Sequence, residues 1–175
     1  MTSHEAFVNA LVAQLPGLRR YAVALVGNSA LADDLVQDSI ERALRQSGQL
    51  RDMQALAGWL RRILHNRYID EIRRDQSRGR PQDIADYTDH LEASVPAEDR
   101  AAALDFLKAM SGLSVEHRQI LLLVGLEDLS YQEISDELGI PLGTVMSRLA
   151  RAREKLRGTM QDRPLPTSSG TKEKS

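Results

Sequence analysis

The apolar positions of this chain recur with helical spacing along most of its length. Phe7, Leu11, Leu15 and Leu18 fall three or four residues apart and predict a first helix, with Pro16-Gly17 as a local break. The pattern continues from Arg19 to Val26, and Gly27-Asn28 reads as a C-terminal stop. From Ser29 a second helix opens with Leu35, Val36, Ile40, Ala43 and Leu44 as its apolar face, and Gly48 is expected to end it. Asp33 and Asp34 are placed in its first turns, where carboxylates suit the helix dipole. Residues 49–58 read as a loop or short turn, and residues 59–74 as a third helix lined by Leu60, Ile63 and Leu64. Residues 77–96 hold Gly79, Pro81 and Pro96 and little periodicity, the mark of a linker. Helix resumes near Ala97, with Leu104, Leu107 and Met110. Ser114 is placed as the cap of a helix over residues 115–125, and Ser130 as the cap of the next. The tail from Pro164 is polar and predicted to be disordered. Aromatics are only 4% of the chain, fewer than large β-sandwiches and barrels usually want, and the expected fold class is all-α.

Charge changes this picture more than composition does. The net charge of −2 hides a strong segregation, and 19 of the 23 basic residues are Arg. Residues 59–80 carry seven Arg against Asp70, Glu71 and Asp75, and residues 141–157 carry four Arg and Lys155 against Glu154. Residues 81–99 carry six acids and no Lys or Arg. Two basic modules joined by an acidic strap are the organisation to explain. The chain has no cysteine, which excludes disulfides, thiolate metal sites and a cysteine nucleophile. No apolar run approaches the ~18 residues of a membrane span, and residues 1–7 lack a basic n-region. A cytoplasmic protein without membrane insertion is therefore expected. His4, His65, His90 and His117 are scattered, with neither an HExxH pair nor a phosphate-binding glycine loop. No enzyme, metal site or cofactor is expected.

Residues 130–156 carry the most specific pattern. Ser130 and Glu133 have capping-box spacing, so that hydroxyl and carboxylate satisfy each other's orphan amides. A short helix over residues 131–138 precedes Gly139, where a tight turn with positive φ is cheap for glycine. A second helix opens between Pro141 and Thr144. Two helices across a glycine turn form a helix-turn-helix. On the second helix Val145, Leu149, Ala152 and Leu156 form the inner stripe, while Ser147, Ala150, Arg151 and Glu154 lie opposite, with Met146 on one flank. An Arg and a small polar residue on such a face suit base edges in the major groove. Arg153, Lys155 and Arg157 suit phosphates. A charge run alone would be only a solvated face.

Ser130-Tyr-Gln-Glu-Ile134 and Gly143-Thr-Val-Met-Ser-Arg-Leu-Ala-Arg-Ala-Arg153 resemble region 4 of bacterial extracytoplasmic-function (ECF) sigma factors. Asp33-Asp-Leu-Val-Gln-Asp38 and Trp59-Leu-Arg-Arg-Ile-Leu-His-Asn-Arg-Tyr-Ile-Asp70 resemble their region 2. The resemblance spans about residues 7–157, with both blocks in the family's order. It implies two small helical domains: a region 2 bundle over residues 1–77 and a region 4 helix-turn-helix domain over residues 98–160. A flexible acidic linker over 78–97 would join them, and a disordered tail would occupy 161–175. The first domain would bind core RNA polymerase, through its beta and beta-prime subunits, and the minus-ten element. The second would bind the minus-thirty-five element. The linker, as an acidic mimic of nucleic acid, would thread the polymerase channel. An anti-sigma factor would hold the chain inactive until a stress or envelope signal arrives.

Residue by residue, the resemblance implies minus-ten contacts by Arg51, Asp52, Met53, Trp59, Arg62, His65, Asn66, Ile69, Arg73 and Arg74. Arg62, His65, Asn66, Ile69 and Arg73 share one helical face, and Asn66 lies where the family captures a flipped base. Thr144, Met146, Ser147, Arg148, Ala150, Arg151 and Arg153 would read the minus-thirty-five element. Met146 and Ala150 depart from the Lys or Arg and the bulkier side chains common in the family, so promoter preference does not carry over. Asp34, Leu35, Gln37, Asp38 and Glu41 would meet the polymerase, the polar members forming an acidic stripe. Two other readings use the same residues: a sigma mimic that sequesters an anti-sigma protein, and a stand-alone helix-turn-helix regulator.

Overall fold

The computed structural model describes residues 3–78 and 100–161, and among these every regular element is helical. Three long helices come first: α1 Ser3–Val26, α2 Ser29–Arg45 and α3 Leu56–Ser77. Four follow: α4 Arg100–Ser111, α5 Val115–Gly125, α6 Tyr131–Leu138 and α7 Leu142–Gln161. Apart from Arg78, which closes α3, and Gln161, the last residue of α7, the expected linker and tail lie outside the described residues.

The break expected at Pro16 does not occur, and α1 runs through it. Proline removes the amide that would reach the carbonyl of Val12. Pro16 and Val12 both lie on the exposed side of α1, where water can serve that carbonyl. Gly27 at φ 72° stops the helix, and the Asn28 side chain accepts the Leu31 amide at 2.8 Å to cap α2. Asp33 falls after the first turn of α2 and pairs with Arg19 of α1 at 2.7 Å. α2 ends at Arg45, earlier than Gly48, and Ser47–Gln49 forms a 3-10 turn. The stretch expected as a loop contains a second 3-10 turn, Met53–Ala55, capped by Asp52 through the Gln54 amide at 2.9 Å. α3 therefore opens at Leu56, three residues before Trp59. Burial of Leu56 (2% exposed) at the base of the bundle makes that extra turn worthwhile.

Tyr21, Leu25, Leu35, Leu60, Leu64 and Tyr68 fill the centre of the α1–α3 bundle. Met110, Leu113, Ile120, Leu123, Ile134, Val145 and Leu149 fill that of α4–α7. The two cores form one contiguous cluster, because α1 packs on α5 and α3 on α6. No helix among the described residues is long and apolar enough to cross a membrane.

Candidate nucleic-acid interface

The helix-turn-helix is assembled by local chemistry. Ser130 N–H donates to Glu133 Oε2 at 2.8 Å, and Glu133 N–H to Ser130 Oγ at 3.2 Å, which closes the capping box. Those hydrogen bonds hold the Glu133 carboxyl below its usual range. Gly139 takes φ 63° and its amide closes α6 on the Ser135 carbonyl. Ser135 Oγ then donates to the Ile140 carbonyl at 2.6 Å. Thr144 and Val145 amides turn back to Pro141 O at 2.9 and 3.1 Å and start α7. Val145, Leu149 and Ala152 face inward, at most 2% exposed. Met146, Ser147, Ala150, Arg151 and Arg153 are exposed, while Thr144 and Arg148 are partly buried at the edges. Ser147 Oγ donates to the Thr144 carbonyl at 3.2 Å. Arg148, Arg151, Arg153, Lys155 and Arg157 form no ion pair among the described residues, so the face keeps its charge. His117, at the start of α5, lies within that field. Its pKa is lowered by burial and then by Lys155, Arg148 and Arg151, against the pull of Glu116.

On α3 the outward face is partly as expected. Arg62, Asn66, Arg73 and Arg74 are exposed and Ile69 is half-buried. Arg51, Asp52 and Met53 are exposed beside the start of the helix. Trp59 is half-buried and packs on the core. His65 departs from the expected open surface. It is half-buried, its Nδ1 is shut away without a partner, and burial lowers its pKa against the nearby Glu116 carboxylate of α5.

The basic count of this region also overstates the exposed charge. Arg67 pairs with Asp38 across α2 and α3. Arg61 is buried (8% exposed) and pairs with Glu127 at 2.7 Å and with Glu137 through two contacts at 2.7 and 3.0 Å. Burial alone would lower the Arg61 pKa, but the hydrogen bonds and charge of Glu137, with Glu127, outweigh it and the net shift is upward. Arg118 is likewise buried and donates to the Leu25 carbonyl at 2.6 Å, a cation at the C-terminal end of α1. Sequence reasoning missed these four residues, since no spacing rule links positions 66 to 93 residues apart.

The acidic stripe of α2 is exposed at Asp34, Gln37, Asp38 and Glu41. Leu35 is not part of it. At 1% exposed it belongs to the core, because the apolar stripe of α2 must face α1 and α3. Glu41 pairs with Arg45 at 3.0 Å and accepts from Gln37 at 3.3 Å. Asp34 forms no ion pair among the described residues, which also hold no cluster of His, Asp and Glu suited to a metal ion.

The chain as a whole resembles known proteins. Residues 103–156 match the family described as sigma-70, region 4, and residues 11–65 match the sigma2 domain of PhyR. The ECF RNA polymerase sigma factor EcfG of Rhodopseudomonas palustris is 34% identical over 148 residues, 83% of this chain and 80% of that one. The ECF RNA polymerase sigma factor SigL of Mycobacterium tuberculosis is 37% identical over 152 residues, 83% of each. The sigma factor RpoE of Bartonella quintana, solved in complex with the anti-sigma factor NepR, superposes with a TM-score of 0.74 at 28% identity, covering 91% of this chain and 99% of that one. With relatives 34% and 37% identical over 83% of this chain, and with the capped helix-turn-helix inside the residues that match sigma-70 region 4, the chain belongs to the ECF RNA polymerase sigma factors.

Proposed function

We propose that this chain joins core RNA polymerase, selects promoters and initiates transcription, with the work divided between the two cationic helices. α7 would enter the major groove of the minus-thirty-five element with Ser147, Ala150 and Arg151 toward base edges. Arg153, Lys155 and Arg157 would hold phosphates. Arg62, Arg73 and Arg74 on α3 would hold the backbone of the minus-ten element, with Asn66 against an unstacked base. The exposed part of the α2 stripe, led by Asp34, would meet the polymerase, where its charge orients docking. The proposed units are residues 1–77 and 98–160. The observation that carries this reading is the pair of unpaired cationic faces on α3 and α7.

The chain would supply no catalytic group, work in the cytoplasm, and answer to an anti-sigma protein, as the NepR complex of the Bartonella relative suggests. Run-off transcription from a promoter library, with core polymerase and with or without this chain, tests the reading. Promoter-selective transcripts are expected only with the chain. The sigma-mimic reading draws on the match of residues 11–65 to the sigma2 domain of PhyR. It requires a chain that binds an anti-sigma protein and starts no transcript in that assay.

A further inference from the structure

Three exposed apolar residues stand one turn apart on the flank of α7: Leu142 (40% exposed), Met146 (52%) and Ala150. They border Ser147 at the centre of the outward face. The Ser147 hydroxyl spends its proton on the Thr144 carbonyl at 3.2 Å, so it faces outward as an acceptor. Among major-groove edges, only the A·T pair offers both an amino donor, on adenine N6, and a methyl group, on thymine C5. The cations Arg148, Arg151 and Arg153 around it form no ion pair among the described residues and fit the occupant to duplex DNA. We infer that Met146, with Ala150 beside it, determines specificity by packing on a thymine methyl of the upstream element, while Ser147 accepts from the amino group of an adjacent or paired adenine.

This rests on the promoter-binding reading above, and the test keeps the two apart. Holoenzyme assembled from core polymerase and the full chain selects upstream elements from a randomised library. A selected duplex is rebuilt with deoxyuridine for each thymine in turn, which removes one methyl and leaves every hydrogen-bonding group. Binding is expected to fall about fourfold at one or two positions, the value of one buried methyl group. In Met146→Ala that sensitivity is expected to vanish, with helicity unchanged because the side chain is half exposed. Selected elements without thymine in the upstream motif, or affinity indifferent to every replacement, overturn the inference and leave the function standing. Failure to select any promoter overturns the function instead.

A separate observation concerns the contact between the two halves. The Arg61 side chain (9% exposed) is held by Glu127 (17%) and Glu137 (13%) from the other half. Arg118 reaches back to the Leu25 carbonyl, and a Cβ on Gly58 would sit 2.9 Å from Glu137 Oε2, so Gly58 of α3 lies directly under the Glu137 carboxylate of α6. Elements centred near positions −10 and −35 lie about 85 Å apart along duplex DNA. A compact chain of this length is only about 40 Å across. We propose that the Arg61–Glu127–Glu137 contact is an autoinhibitory clasp that must part before both elements are engaged.

The absence of native cysteine makes the clasp lockable. The full-length double variant Gly58→Cys with Glu137→Cys, oxidised, is assayed with core polymerase on a promoter that needs both elements, then again after reductant. A disulfide is expected to form, with transcription down at least tenfold while it lasts and restored on reduction. An oxidised chain that transcribes as well as the reduced one, or cysteines that never pair, overturns the clasp. A wild-type chain inactive on every promoter overturns the underlying function.

Discussion

At the scale of single residues, charge and burial separate the side chains that read from those that hold. Arg62 and Asn66 are both exposed on one face of α3. Loss of Arg62 to Ala is expected to weaken all promoters and lower the salt dependence, as for a phosphate contact. Asn66→Ala is expected to impair opening and shift preference at one minus-ten position, scored by permanganate footprinting across all four bases. Arg151→Ala should cost about 1–3 kcal/mol of discrimination at one upstream position and leave the melting temperature unchanged. His65 behaves differently, because it is held neutral by burial. Its folded pKa lies below the unfolded value near 6.5, so the unfolded state binds the extra proton first. Stability therefore falls as pH drops through 6.5 and levels off below the folded pKa. Denaturant midpoints of wild type and His65→Gln between pH 7.5 and 5.5 check this, with a shallower fall expected for the variant. His65 was legible in the sequence as a member of the α3 face, but its burial was not, since the Glu116 carboxylate that acts on it lies some 50 positions away.

At the scale of elements, what was legible is what local chemistry dictates. Ser114, Ser130, Glu133 and Gly139 set the bounds of α5 and α6 through caps and one left-handed residue, and the chain folds there as their spacing requires. Ser130→Ala removes half of the capping box and is expected to cost about 1 kcal/mol, read as a lower midpoint in thermal unfolding. If the midpoint does not move, the hold on α6 comes from Ile134 in the core rather than from its cap. The misreadings arose where tertiary burial or water outweighed local rules. Pro16 is tolerated inside α1 because its side of the helix is exposed. α3 begins early because Leu56 has a core position to fill. Leu35 was named among the polymerase contacts by resemblance, although its place in the apolar repeat of α2 puts it inside, at 1% exposed.

At the scale of the whole molecule, the segregation of charge decides how the chain meets DNA. Counting Arg gave the sign of each module, but pairing decides what remains available. Arg61 and Arg67 are spent on carboxylates, whereas the five cations of α7 from Arg148 to Arg157 are not. The acids of α2 and of residues 81–99 oppose any polyanion. The isolated chain is therefore expected to bind duplex DNA weakly and without strong sequence preference, with core polymerase supplying the orientation that brings both helices to bear. If all five cations of α7 contacted phosphates, the log–log dependence of affinity on salt would reach a slope of about −4.5. A shallower slope is expected, because Arg151 is assigned to a base edge and the acidic segments repel the duplex. Fluorescence anisotropy of a labelled duplex between 50 and 200 mM salt measures it. Tight, sequence-specific binding by the isolated chain at physiological salt would instead mark a stand-alone regulator, for which neither polymerase nor the α3 face is needed.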